Sequence, residues 1–143
     1  MTATATKDDA TIAHVRLAVP FHDCDPLFVV WHGHYFKYFE QARCALLAKS
    51  ALDVGDVRAM GYRMYVSDAR CRYTFPLGYG DEIDVRARLT ATRPFIRVGY
   101  RVTNLTRSRA SARGHTVLVV TDGEGNLFSS TPADVLARLP EIA

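Results

Sequence analysis

Apolar and polar residues divide the chain into a first part with helical periodicity and a longer second part that alternates. Residues 12–21 alternate, with Val15, Leu17 and Val19 on one face, which predicts a strand. A polar turn follows, His22-Asp23-Cys24-Asp25-Pro26, in which proline fixes its own backbone and biases Asp25 away from helical geometry. After a short apolar run from Leu27 to Trp31, Tyr35, Phe39, Ala42 and Leu46 recur at helical spacing, and Phe36 and Leu47 widen the stripe. That pattern predicts a helix covered on one side and starting near His32, Gly33 and His34. Residues 50–61 end it in a looser stretch with room for one further helical turn.

From Tyr62 the period becomes two. Strands are predicted over residues 62–75, 82–93, 96–102 and 111–121, the first two separated by the turn-rich stretch 76–81, with Ile83, Val85, Ala87 and Leu89 on one face of the second and Ile96, Val98, Tyr100 and Val102 repeating the pattern in the third. Asp122-Gly123-Glu124-Gly125-Asn126 is a strong turn leading to Leu127 and Phe128. The strands read as a meander. A helix followed by long antiparallel strands predicts an α+β domain with the sheet packed on the helix.

Length and composition narrow the class. A chain of 143 residues is one domain by size, read as a flexible tail over residues 1–10 and a single domain over residues 11–143, without repeats or linkers. The opening MTATATKDDATIA lacks the basic start and apolar core of a signal peptide. No later run approaches the ~18 apolar residues of a membrane span, so a soluble, cytoplasmic protein without a membrane partner is expected. Cys24, Cys44 and Cys71 are odd in number and show no CxxC spacing, which predicts reduced thiols. The acids around Cys24 oppose thiolate formation there.

Several groups in the turn and helix carry candidate chemistry. Asp25 before proline is ordinary turn chemistry, and it is also a carboxylate able to attack a carbonyl or draw a proton from water. The leading N–H groups of the helix, near His32, lack carbonyl partners within it and suit an oxyanion. His22, His32 and His34 beside Asp23 and Asp25 invite a metal reading, but their spacing matches no zinc motif; neither metal nor cofactor is expected. The Asp-Cys-Asp turn is similar to a phosphotransferase loop of haloacid-dehalogenase-like enzymes, but such a loop needs a parallel sheet. Glu40, three residues before Arg43, reads as one half of a helix-surface ion pair.

Asp23-Cys24-Asp25-Pro26, Val30-Trp31-His32, Tyr35, Tyr38-Phe39-Glu40 and Ala42-Arg43 resemble the hotdog-fold acyl-CoA thioesterases of the 4-hydroxybenzoyl-CoA thioesterase type. The resemblance spans residues 13–139, with its specific motif in the first third. It implies an antiparallel sheet wrapped around one long central helix, and hydrolysis of an acyl-coenzyme A or acyl carrier protein thioester. It also implies a homodimer or homotetramer. By this likeness Asp25 takes the place of the catalytic carboxylate, as nucleophile or general base. His32 supplies the oxyanion N–H, with a side-chain role left open, and Tyr35 is a candidate substrate contact. Leu27 and Phe28 stand where the family usually has small residues, glycine often among them, which bears on the shape of the acyl pocket.

Two rivals remain. A hotdog dehydratase would carry an Asp-x-Asn-Pro-x-His spacing that is absent, and a non-catalytic acyl-binding module would need a pocket but not the Asp25 to His32 block. Between Arg86 and Arg113 the chain holds eight arginines and no acid: Arg86, Arg88, Arg93, Arg97, Arg101, Arg107, Arg109 and Arg113. They form either a solvated sheet face or an anion-binding surface, with Arg97 and Arg101 as candidate contacts to coenzyme A phosphates or to a carrier protein. Nucleic acid is not expected, because aromatic residues do not interleave with them.

Overall fold

The computed structural model describes residues 10–142, so the expected tail lies outside the described residues except for Ala10. Five strands, β1 (Ile12–Ala18), β2 (Tyr62–Tyr73), β3 (Glu82–Ala91), β4 (Ile96–Asn104) and β5 (Arg109–Asp122), form one antiparallel sheet in the order β1-β3-β4-β5-β2. The long helix α1 (Tyr35–Ala48) packs on one face, chiefly against β1 and β3. This is the α+β arrangement that the period change predicts, and it agrees with the hotdog fold that the resemblance implies.

The core is where the two periodicities meet. Ile83, Val85, Ala87 and Leu89 of β3 and Ile96, Val98, Tyr100 and Val102 of β4 are buried on the helix side. From α1, Tyr35, Tyr38, Phe39, Ala42, Leu46 and Leu47 are buried, and the Phe39 ring stacks on Tyr100 with centroids 4.3 Å apart. Full burial of a side chain such as Phe39 contributes about 1.5–3 kcal/mol. Gly114 of β5 lets the layers close. A β-carbon there would stand 2.1 Å from the Arg70 carbonyl oxygen and 2.8 Å from the Phe39 ring.

The meander holds only in part. Strands β3, β4 and β5 follow one another, but β2 lies beyond β5 at the far edge, in register from Tyr62 opposite Asp122 to Tyr73 opposite Ala112. Alternation determines which face a residue takes and says nothing about which strand lies beside it. Two short helices complete the fold. The helical turn expected after α1 is α2 (Val54–Ala59), started by a reciprocal Asp53–Asp56 capping box. The third, α3 (Ala133–Arg138), was not anticipated, since its six residues bring only Val135 to full burial. No helix among the described residues is long and apolar enough to cross a membrane.

Candidate active site

The Asp25 turn is a small hairpin pinned to the head of α1. Phe21–Asp23 form one 3-10 turn, Cys24 then pairs with Val30, and the Asp25 N–H donates to the Val29 carbonyl at 2.9 Å. Asp25, Pro26, Leu27 and Phe28 make the tip, closed by the Phe28 N–H to the Asp25 carbonyl at 2.9 Å. The Asp25 Oδ1 accepts the Leu27 N–H at 2.8 Å, an Asx turn that orients the carboxylate from its own loop. Phe28 sits at φ 65°, a left-handed conformation that costs a residue with a β-carbon about 1–2 kcal/mol and glycine almost nothing. Leu27 and Phe28 are 78% and 81% exposed, so in the single chain their bulk points outward.

Asp23, two residues earlier, has a different fate. It is 1% exposed, and its carboxylate accepts Lys37 Nζ at 2.5 Å and the Tyr38 hydroxyl at 2.6 Å, both from α1. Burial pulls its pKa upward, but the Lys37 and Tyr38 hydrogen bonds and the Lys37 and His34 charges outweigh that and hold it below the usual carboxylate range. Its carbonyl accepts the Trp31 N–H at 3.0 Å, so Asp23 ties both ends of the hairpin to the helix. Cys24 meets the expectation for its thiol: burial, with Asp23, Asp25 and Asp81, pushes it up.

The hairpin is held from a second side by the loop before β3. The Val30 N–H donates to the Leu77 carbonyl at 2.8 Å, and Val29 pairs with Gly78. That loop is organised by Asp81, 7% exposed, whose Oδ2 accepts the Gly78 N–H and the Asn104 amide, each at 2.8 Å.

His32–His34 form a 3-10 turn that runs straight into α1. The His34 N–H is taken by the Trp31 carbonyl at 2.9 Å, and the His32 and Gly33 N–H groups lead the turn, where helix geometry supplies no internal acceptor. The Tyr73 hydroxyl at the end of β2 donates to the His32 carbonyl at 2.7 Å and fixes this head from the sheet. Trp31 lies over Gly33 so closely that a β-carbon there would come 2.2 Å from the indole. Tyr35 is 3% exposed and edge-on to Tyr73 at 4.8 Å, and burial pushes its pKa up to about 12.

Asp25 and His32 are thus brought onto one pinned unit, with Tyr35 packed beneath it. Arg97 and Arg101 are not. Their neighbours Ile96, Val98, Tyr100 and Val102 face α1, so both arginines stand on the opposite face of the sheet. Glu40 lies further along α1, 3.8 Å from Arg43, in the surface ion pair its spacing suggests. Among the described residues no cluster of three His, Cys, Asp or Glu side chains is grouped as a metal site; His22 and His34 instead approach Asp23 at 3.7 and 4.0 Å. A cavity of about 440 Å³ between α1, α2 and β2 is lined by Cys44, Leu47, Leu52, Val57, Met64 and Leu118 among others, and none of its walls comes from residues 21–34. Lys37, Tyr38, Tyr73 and Asp81 were not singled out as site residues from sequence, for each meets a partner 14 or more positions away, Asp81 through Asn104, and no local pattern marks those contacts.

Known proteins share this fold. A crystal structure of a hypothetical protein from Aquifex aeolicus is 30% identical and superposes with a TM-score of 0.79 over 88% of this chain and 98% of that one. A 4-hydroxybenzoyl CoA thioesterase variant, solved in complex with 4-hydroxybenzoyl CoA, is 16% identical but superposes with a TM-score of 0.79 over 90% of this chain and 99% of that one, and so shares the fold. The curated "Putative esterase" of Aquifex aeolicus (strain VF5) is 35% identical over 74 residues, 52% of this chain, which spans 58% of that relative's length. The family model of the thioesterase-like superfamily matches residues 19–139, from the end of β1 through the hairpin, α1, the remaining strands and α3, and the chain belongs to that superfamily.

Proposed function

We propose that this protein hydrolyses an acyl thioester, of coenzyme A or of an acyl carrier protein, to the free acid. The observation that carries the reading is the family match over a segment in which a partly buried carboxylate, Asp25, and the leading N–H groups of α1 are pinned to one another through Asp23. A thioester carbonyl needs an attacking oxygen and donors for the charge that develops on its own oxygen. Asp25 meets the first need in either of two ways. It attacks the carbonyl carbon and forms a mixed anhydride that water then opens, or it draws a proton from a water that attacks directly. In both, the C–S bond breaks, the thiol leaves with a proton, and water supplies the oxygen of the acid. The His32 N–H at the head of the helix meets the second need, and Tyr35 backs the site from below. The test is thiol release from a panel of acyl-CoA substrates by wild type and Asp25→Asn. Turnover by wild type and none by the variant supports the reading, and equal turnover removes Asp25 from the mechanism.

The same reading makes the working unit a homodimer or a dimer of dimers. Strand β2 is a twelve-residue edge, and from Tyr65 to Arg70 it is exposed on both faces, with Val66 at 39% and Tyr65 at 51%. Such an edge invites another strand. Around the hairpin, Phe21, Leu27, Phe28 and Tyr79 expose further apolar surface. Sedimentation at micromolar concentration is expected to show at least a dimer, and a monomer would contradict it.

A further inference from the structure

On the sheet face opposite α1, four arginines stand side by side in direct register. Arg86 of β3 pairs with Arg101 of β4, Arg101 with Arg113 of β5, and Arg113 with Arg72 of β2. Cross-strand partners point to the same face, and at about 4.8 Å per strand the row spans about 14 Å. Two residues along the strands, Arg88 and Arg70 flank Gly99 and His115, and the six arginines line a groove of about 620 Å³ that Gly99 leaves open at its centre. Among the described residues none of the six is in an ion pair. Asp84 of β3, whose charge also reaches Arg86, is engaged by His14 at 3.0 Å and Arg16 at 3.9 Å, and Asp68 of β2 by His115 at 3.6 Å. The Arg86 Nε is buried without a hydrogen-bond partner. Like charges directly opposite one another cost stability, so the fold holds this row in place against its own repulsion.

We propose that this groove is a binding site for a small ligand bearing two or more phosphate groups, separate from the thioester site. Guanidinium forks match phosphate oxygens in pairs, and a row of four offers contacts to several phosphates at once. A second copy of this chain is a poor occupant, because a two-fold contact would set the row against itself. Single-stranded nucleic acid is a poor one too. The aromatic ring at the groove, Tyr100, is buried on the helix side against Phe39 and offers no stacking surface. The sheet lies between the groove and Asp25, so the proposal does not rest on the hydrolytic reading.

The probe is tripolyphosphate, titrated calorimetrically into the full chain at low salt. Wild type and Asp25→Asn are expected to bind it alike, with affinity falling as salt rises. Arg86→Gln with Arg101→Gln, and separately Arg72→Gln with Arg113→Gln, are each expected to weaken it at least ten-fold, thermal melting showing that the variants remain folded. No binding by wild type at millimolar probe, or equal binding by both double variants, would return the row to an ordinary solvated face. Displacement of the probe from Asp25→Asn by an acyl-pantetheine thioester, which carries no phosphate, would make the groove part of the substrate site and overturn its separateness. Displacement by duplex DNA at lower phosphate concentration would overturn the small-ligand assignment in favour of nucleic acid.

Discussion

The two faces of the sheet handle charge in opposite ways. On the helix side Asp23 is buried and met by Lys37 and Tyr38, and Asp81 by Gly78 and Asn104, so the acids there act as joints of the scaffold. On the other side four arginines align with no carboxylate between them. A buried charge must be paired because desolvation is costly, whereas a mostly exposed row keeps its hydration and tolerates repulsion. Charge spent on structure therefore lies beneath the surface, and charge without a structural partner lies on it. Asp25 follows this rule within the hairpin itself. It is two residues from Asp23, partly exposed, and bonded to its own loop.

That contrast can be broken in four places. The largest effect is expected at Asp25: Asp25→Asn keeps the turn, since its amide oxygen still accepts the Leu27 N–H, and loses at least ~10² in hydrolytic rate with an unchanged melting curve. A large loss of stability instead would make Asp25 another structural acid. Next is Gly114→Ala, where the added carbon meets backbone at 2.1 Å and the Phe39 ring behind it. Forced overpacking of this kind costs about 3 kcal/mol in urea denaturation, and a neutral result would mean that β5 is free to move away from α1.

Asp23→Ala leaves the buried Tyr38 hydroxyl without its acceptor, at about 2 kcal/mol. The pH dependence sharpens this. Because the folded pKa of Asp23 is depressed, its contribution is present in full above the unfolded value of about 3.9 and is lost as pH falls through the lower folded value. The stability gap between wild type and Asp23→Ala is expected to hold from pH 7 to about 5 and to narrow below about 4. A gap that widens in acid would reverse the assignment. The smallest effect is on the other face. Arg101→Glu places an acid between Arg86 and Arg113 in register and is expected to raise stability by about 0.2–1 kcal/mol at low salt, with the gain gone in 1 M salt. A loss at low salt would show that the row is already neutralised in the free protein.

Much of this was determined by the sequence alone. Alternation in residues 82–102 marked Ile83, Val85, Ala87, Leu89, Ile96, Val98, Tyr100 and Val102 as the buried face, and the helical stripe marked Tyr35, Phe39, Ala42 and Leu46, because periodicity is a local consequence of backbone geometry. The Asp-Pro turn and the helix start were legible for the same reason, and so was the excess of arginine. Tertiary structure alone decided that β2 lies beyond β5, that Asp23 is bound to Lys37 and Tyr38 while Asp25 is not, and that Tyr73 reaches the His32 carbonyl. It also brought three of those eight arginines, Arg86, Arg101 and Arg113, into one row with Arg72, which their spacing along the chain does not announce. Strand register joins residues through hydrogen bonds between segments far apart in the chain, and a local pattern carries no record of which segments those are.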